Sequence, residues 1–208
     1  MVPDETTGRM IGQTVAPHRA VLALGSNLGE SEDTIERAVA DLVAGGVNLR
    51  GASGLYRTAP VGGPANQPDF VNAVIEVVTE LGPYELLALC HAVEAAHHRE
   101  RLVRWGPRTL DIDIIDYDGV VSEDPTLILP HPRAQERAFV LVPWVHLNPQ
   151  ARMTVTRRAA PSGDRPDEVP MPLSRRVRPV AEVMREVVAA AGDDAIHYMR
   201  DMTVPLCR

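Results

Sequence analysis

The chain has 208 residues, 45% hydrophobic and 24% charged, which bounds it to one globular domain with an extension, or at most two small domains. All 21 basic residues are arginine, so there is no Schiff-base lysine, no P-loop lysine and no kinase-type strand lysine. The net charge of −7 argues against a generic nucleic-acid binder, and any phosphate must be held by guanidinium groups.

The charge is uneven. Residues 1–150 carry 11 arginines and 20 acids, whereas residues 151–208 carry 10 arginines and 8 acids. A local island of four arginines and one acid lies between Arg99 and Arg108, a candidate anion site in an acidic chain. Cys90 and Cys207 do not form a disulfide framework, and Cys90 falls in an apolar helical pattern. The first residues are acidic without an apolar run, so a secretory signal is not expected, and no apolar run is long enough to span a bilayer. The expectation is a soluble, cytoplasmic protein.

Residues 1–17 read as a flexible leader. Ala20–Gly25 is a short apolar run that predicts a buried strand, followed by a turn at Ser26–Gly29. Ser31 is the expected N-cap of a helix with Glu32 and Asp33 in its first turn and Ile35, Ala38, Val39 and Leu42 as its buried stripe. Gly45 and Gly46 end it. Residues 47–58 predict a strand, then a Pro/Gly-rich loop, then a β-branched strand over 69–79 that places Phe70 and Asn72 on one face. Pro83 opens a second helix with Leu86, Leu89, Cys90 and Val93 inward, running into the arginine-rich stretch. Residues 109–117 predict another strand. The order β-α-β-β-α-β is an α+β, ferredoxin-like pattern with an antiparallel sheet and helices packed on it. Residues 157–179 hold two arginine pairs and five prolines and read as a linker. A short appended helix starts near Pro179, with Val180, Val183, Met184, Val187 and Val188 at helical spacing and Gly192 closing it. The expected division is 1–17 leader, 18–150 domain, 151–208 linker and helix.

Asp111-Ile112-Asp113 carries the strongest chemistry. Two carboxylates two apart on a strand share a face, about 7 Å apart at Cα, and can converge on a hard cation. A solvated strand edge would show the same pair, but Ile112, Ile114 and Ile115 make this strand a buried one, where carboxylates need a cation, hydrogen bonds or water. Magnesium, which takes one or two carboxylates plus waters and phosphates, fits the pair. Arg108 stands three residues before Asp111, so phosphate cations adjoin metal carboxylates, as phosphoryl chemistry requires. Only two phenylalanines exist, Phe70 and Phe139, the latter in Arg137-Ala138-Phe139-Val140, and core packing is the commoner role for either one; Phe70 beside the Asn72 amide could instead stack a flat heterocycle and bond its edge. His97, His98 and His131 lack zinc-site spacing, and no G-x-S-x-G elbow exists.

The string Arg104-Trp105-Gly106-Pro107-Arg108-Thr109-Leu110-Asp111-Ile112-Asp113 resembles the signature of the 6-hydroxymethyl-7,8-dihydropterin pyrophosphokinase family. Ala23–Gly29, Tyr56-Arg57-Thr58, Gln67–Asn72, Leu129–Pro132 and Glu136–Phe139 agree in the same order, so the likeness covers about residues 20–149. It implies magnesium-dependent transfer of pyrophosphate from ATP to the hydroxymethyl oxygen of the pterin, with release of AMP, in tetrahydrofolate synthesis. Asp111 and Asp113 would hold two Mg2+ ions. Arg99, Arg101 and Arg108 would guide the triphosphate; Glu94, His131 and Arg137 belong to the nucleotide site. The pterin would lie between Phe70 and Phe139, near Trp105, with Asn72, Thr58 and Val61 reading its edge. Loops at 61–68 and 99–106 would close over ATP.

Three positions depart from the family pattern. His98 stands where a glycine commonly precedes the first loop arginine, Asp116 puts a charge into an apolar strand, and Ile128 replaces a residue that can be a threonine. The other readings are a magnesium-dependent phosphatase using the same carboxylates and a non-catalytic ferredoxin-like ligand-binding module. The expected partners are ATP and 6-hydroxymethyl-7,8-dihydropterin, without nucleic acid or membrane. A monomer is expected, with a dimer left open.

Overall fold

The computed structural model describes residues 16–60, 64, 66–98, 107–157, 174–191 and 196–204. Strand β1 (His18–Ser26) leads into helix α1 (Ser31–Ala44), then β2 (Val47–Ala52), β3 (Gly54–Thr58), β4 (Phe70–Thr79) and α2 (Pro83–Ala96). Next come β5 (Asp111–Tyr117), the short pair β6 (Ser122–Asp124) and β7 (Leu127–Leu129), a 3-10 turn (Ala134–Glu136) and α3 (Ala138–Leu147). Strands β8 (Arg152–Arg157) and β9 (Ser174–Pro179), helix α4 (Val180–Ala191) and β10 (His197–Asp201) complete the described chain.

The main sheet has the order β10-β3-β4-β1-β5, with β2 also on β4, and its pairs are antiparallel. The period of two sends alternate residues of β1 to opposite faces. Leu22 and Leu24 join Ile35, Leu42, Leu86 and Cys90 in the core under α1 and α2. Val21, Val74 and Ile115 face the other way, against Leu141 and Trp144 of α3 and Val180 and Val183 of α4. The sheet is thus covered on both faces. Gly45 at the end of α1 is fixed by this packing, since a Cβ there would lie 2.3 Å from Leu89 Cδ1 on α2.

Several expectations are corrected. The expected N-cap Ser31 is the first helical residue of α1 and Glu30 holds the cap position without a side-chain cap bond; the Ser31 hydroxyl instead accepts from Ser26 at 2.9 Å. The strand expected over 47–58 breaks at Ser53, whose hydroxyl accepts the Val74 N–H at 3.0 Å and so serves the ladder while the chain bends. Helix α2 stops at Ala96, before the arginine-rich stretch. Asp116 stands in β5 as expected, one residue before its end, and accepts the Gly119 N–H at 3.2 Å across a tight turn, while burial raises its pKa.

The largest correction concerns residues 151–208, which hold more than a linker and a helix. Residues 152–157 and 174–179 pair as β8 and β9, although most of the proline-rich stretch, 158–173, lies outside the described residues. The expected helix is present as Val180–Ala191, and Gly192 is also outside. Strand β10 then joins the main sheet beside β3. Arg200 clamps that edge strand to α1 through Glu32 at 2.8 Å and Glu36 at 2.7 Å. Among the described residues no helix is long and apolar enough to cross a membrane.

Candidate active site

Three strands lay the floor of a cavity of about 360 Å³. The register aligns Asn72 of β4 with Gly25 of β1, and Gly25 with Asp111 of β5. Two residues along, Val74, Ala23 and Asp113 align in the same way. A side chain at Gly25 would close this floor: its Cβ would lie 3.3 Å from Asn72 Oδ1 and 3.9 Å from Phe70 Cδ1. Small residues on the middle strand therefore keep the space between carboxylates and aromatic ring open.

The alternation of β5 turns Asp111 and Asp113 to the cavity while Ile112 and Ile114 enter the core. Glu94 on α2 is 3% exposed and accepts the Ile112 N–H at 2.7 Å, so it braces the backbone between the two carboxylates. Arg108 is fixed by Asn27, whose Oδ1 accepts the Arg108 N–H at 2.8 Å and whose N–H donates to the Arg108 carbonyl at 3.1 Å. The Asn27 amide also donates to the Pro68 carbonyl at 3.1 Å, tying a third segment to the same point. The Arg108 guanidinium donates to the Asp111 carboxylate.

The opposite wall comes from the chain after β7. Arg133 and Arg137 flank the 3-10 turn and Glu136 ends it, Ala138 and Phe139 open α3, and α4 contributes Val187. Gln135 holds this wall to β8: its amide donates to the Thr156 carbonyl at 2.7 Å, and its Oε1 accepts the Thr156 N–H at 2.9 Å. The Arg137 Nη1 donates to Asp113 Oδ2 at 3.2 Å, and its guanidinium carbon lies 5.4 Å from the Phe139 ring centre. His131 Nε2 is 3.7 Å from the same Asp113 oxygen. Burial lowers the His131 pKa; Asp113 opposes that shift and Arg137 reinforces it. Burial also pushes the Cys90 thiol up to about 12, which makes it an inert core group.

Of the residues singled out from the sequence, Thr58, Phe70, Asn72, Arg108, Asp111, Asp113, Arg137 and Phe139 line the one cavity. The Asn72 amide donates to the Thr58 hydroxyl at 2.9 Å, which fixes its orientation at the floor. Glu94 and His131 are not among the residues that line it; Glu94 holds the β5 backbone at Ile112, and the His131 ring stands beside Asp113. Val61, Arg99, Arg101 and Trp105 lie outside the described residues. Sequence reasoning gave no role to Arg133, Glu136, Asn27, Gln135 or Val187. The first two sit within the Leu129–Phe139 segment, and Asn27 sits in the turn after β1, so their neighbourhoods were visible. Nothing in the sequence brought Gln135 to Thr156 or Val187 to the cavity. His98 has φ 57°, a left-handed conformation that glycine adopts freely and that histidine rarely does.

The donor set can be tested against a metal. Asp111 and Asp113 are the acidic pair of the floor, with side chains 23% and 34% exposed, and each is balanced by a guanidinium. Among the described residues no group of three or more His, Cys, Asp or Glu side chains could hold a metal. The acidic pair fits a hard cation that takes two carboxylate oxygens and completes its shell with water and phosphate.

The comparisons identify the family. Residues 21–149 match the family model described as 7,8-dihydro-6-hydroxymethylpterin-pyrophosphokinase. The chain is 45% identical over 132 residues to the 2-amino-4-hydroxy-6-hydroxymethyldihydropteridine pyrophosphokinase of Methylorubrum extorquens, covering 63% of this chain and 83% of that one. It is 42% identical over 138 residues to the enzyme of the same name from Bacillus subtilis, covering 66% and 82%. Among solved structures, a Plasmodium falciparum HPPK-DHPS chain crystallised with pteroate superposes with a TM-score of 0.56 at 14% identity. That match covers 85% of this chain and 44% of the longer one, and supports the fold alone.

Proposed function

The chain belongs to the 7,8-dihydro-6-hydroxymethylpterin-pyrophosphokinase family and is a pyrophosphokinase of folate biosynthesis, and from that premise we propose that the cavity on β4, β1 and β5 is where ATP and the hydroxymethylpterin meet. The observation that carries this reading is the alignment of Asn72, Gly25 and Asp111 across one floor, with Phe139 facing it. An aromatic and amide end suits a flat pterin, and a carboxylate and arginine end suits a polyphosphate. The strand order and the two helices on one face support a ferredoxin-like core for residues 18–150.

The reaction forms a bond from the pterin hydroxymethyl oxygen to the β-phosphorus of ATP, breaks the bond between that phosphorus and the α–β bridging oxygen, and releases AMP, with the hydroxyl proton passing to solvent. Phe70 and Phe139 would sandwich the ring, with Asn72 and Thr58 reading its polar edge. Arg108 and Arg137, and by family resemblance Arg99 and Arg101, would hold the phosphate oxygens in bidentate fashion. Asp111 and Asp113 would hold Mg2+, which supplies charge neutralisation at the phosphates and alignment of the in-line attack. Glu94 fixes the backbone between those carboxylates, which keeps both facing the phosphates. Val187 and Phe139 cover the side away from the sheet and help exclude water.

One assay tests this against hydrolysis by the same carboxylates. With ATP, Mg2+ and 6-hydroxymethyl-7,8-dihydropterin, AMP and the pterin diphosphate should appear in equal amounts, and no AMP should form without pterin. Release of inorganic phosphate independent of pterin would instead identify a phosphatase.

A further inference from the structure

We propose that Arg137 is a latch on this cavity: its guanidinium occupies Asp113 and the Phe139 ring together, so that it disfavours free metal and free pterin, and a triphosphate releases both by drawing the guanidinium onto its oxygens. The proposal rests on the reading of the cavity given above.

The geometry is that of one group in two seats. Arg137 Nη1 lies 3.2 Å from Asp113 Oδ2. The same guanidinium has its carbon 5.4 Å from the Phe139 ring centre, within the range of a cation–π contact. A cation entering at Asp113 meets a carboxylate whose charge is already balanced. A ring stacking on that face of Phe139 must displace the guanidinium. Arg108 pairs with Asp111 in a similar way, but Asn27 staples its backbone at both N–H and carbonyl, and it is Arg137 that joins a carboxylate to an aromatic face.

Release requires only a side-chain rotation. The Arg137 backbone is held on both sides, donating to the Ala134 carbonyl at 3.2 Å and accepting from Val140 at 3.0 Å and Leu141 at 3.1 Å. Its neighbour Gln135 is bonded twice to Thr156. The side chain itself is 21% exposed at the cavity wall. A phosphate, like a carboxylate, can accept two N–H bonds from the planar guanidinium fork, and it carries more negative charge. Whatever turns the latch toward phosphate raises the affinity for metal and pterin, and by linkage each of those raises the affinity for the triphosphate.

The test is the sign pattern of Arg137→Gln. Protein-bound Mn2+ is followed by water-proton relaxation, and 6-hydroxymethyl-7,8-dihydropterin binding by fluorescence, both without nucleotide. Relative to the wild type, Arg137→Gln should bind Mn2+ and pterin roughly 5-fold tighter or more, and should bind α,β-methylene-ATP more weakly by a similar factor. Arg137→Lys keeps the charge beside Asp113 and should leave Mn2+ affinity within about 2-fold of wild type. A purely structural role would weaken all three ligands, and that result overturns the latch. So would a gain in Arg137→Lys equal to that in Arg137→Gln. If the wild type binds Mn2+ with the ATP analogue but Arg137→Gln gains nothing without it, the latch fails while the cavity reading stands. If no form binds Mn2+ even with the analogue, the assignment of Asp111 and Asp113 fails and takes the latch with it.

Discussion

The two walls of the cavity are built on different principles. The sheet wall sets Asn72, Gly25, Asp111 and Asp113 on adjacent strands, whose positions follow from continuous ladder registers between β4, β1 and β5. The facing wall sets Arg133, Glu136, Arg137 and Phe139 on a 3-10 turn and a helix start, held by the Gln135–Thr156 pair and by Arg137 on Asp113. Groups on the first wall cannot change spacing without breaking many ladder bonds together; on the second, the turn and helix backbone is bonded too, but the long Arg133 and Arg137 side chains can change partner while it stays in place. The sheet wall therefore suits groups that must keep a fixed spacing, and the facing wall suits groups that must change partner when ligands arrive.

The strongest way to break that contrast is at Asp113. Asp113→Ala should lower kcat by at least about 10^3-fold, because a bound metal supplies several kcal/mol at the transferring phosphate. The loss should persist at saturating ATP and pterin, and circular dichroism should show a folded protein, since the register of β5 does not depend on this side chain. Near-normal turnover in magnesium would mean that the sheet wall does not hold the metal. A smaller effect is expected at Gln135. Gln135→Ala leaves the half-buried Thr156 N–H and carbonyl without their partner, at a cost of about 1–3 kcal/mol in denaturant unfolding. It should also reduce kcat/KM roughly 10- to 100-fold by loosening Arg137 and Phe139 together. A loss of stability with unchanged kinetics would show that α3 alone positions the facing wall.

The same contrast explains what could be read without a structure. The strand pattern at Phe70–Thr79 and the apolar stripe Ile35, Ala38, Val39 and Leu42 follow from periodicity, and the structure buries that stripe completely. Asp111 and Asp113 were legible because strand alternation puts both on one face. On the facing wall Phe139 stands out as one of only two phenylalanines, and the role of Arg137 was legible only through family likeness. Helix α3 is apolar on all sides and contains Pro143, so no period of 3.6 marks it as a helix. Val187 was seen as part of a helical stripe, yet nothing local shows that α4 packs against α3 and reaches the cavity. Strand β10, only five residues long, is held by its own Arg200 on Glu32 and Glu36 of α1 and by the β3 edge, all distant in sequence. Long-range pairing of short polar strands leaves no local signal.

His131 sits where the two walls meet and gives the smallest but most direct measure of their difference. Its N–H donates to the Ile115 carbonyl at 3.0 Å, which fixes it to the sheet, while its ring faces Asp113 and feels Arg133 and Arg137 from the other side. Burial lowers its pKa below the ordinary 6.5, so the imidazole is neutral at pH 7. Between the folded value and 6.5 the unfolded chain binds more protons than the folded one, so stability rises with pH in that window. The contribution is complete above 6.5 and is lost as pH falls through 6.5 toward the folded value. An NMR titration of the ring in metal-free protein, assigned with His131→Gln, should show this lowered value. Asp113→Asn removes the one neighbouring carboxylate that holds Arg137 and should lower it further, whereas Arg137→Gln should raise it. Opposite shifts from the two variants mean that the walls act on the ring as separate charges. Equal shifts in one direction would mean that each variant moves the ring itself, and that the wall carrying His131 is no firmer than the one it faces.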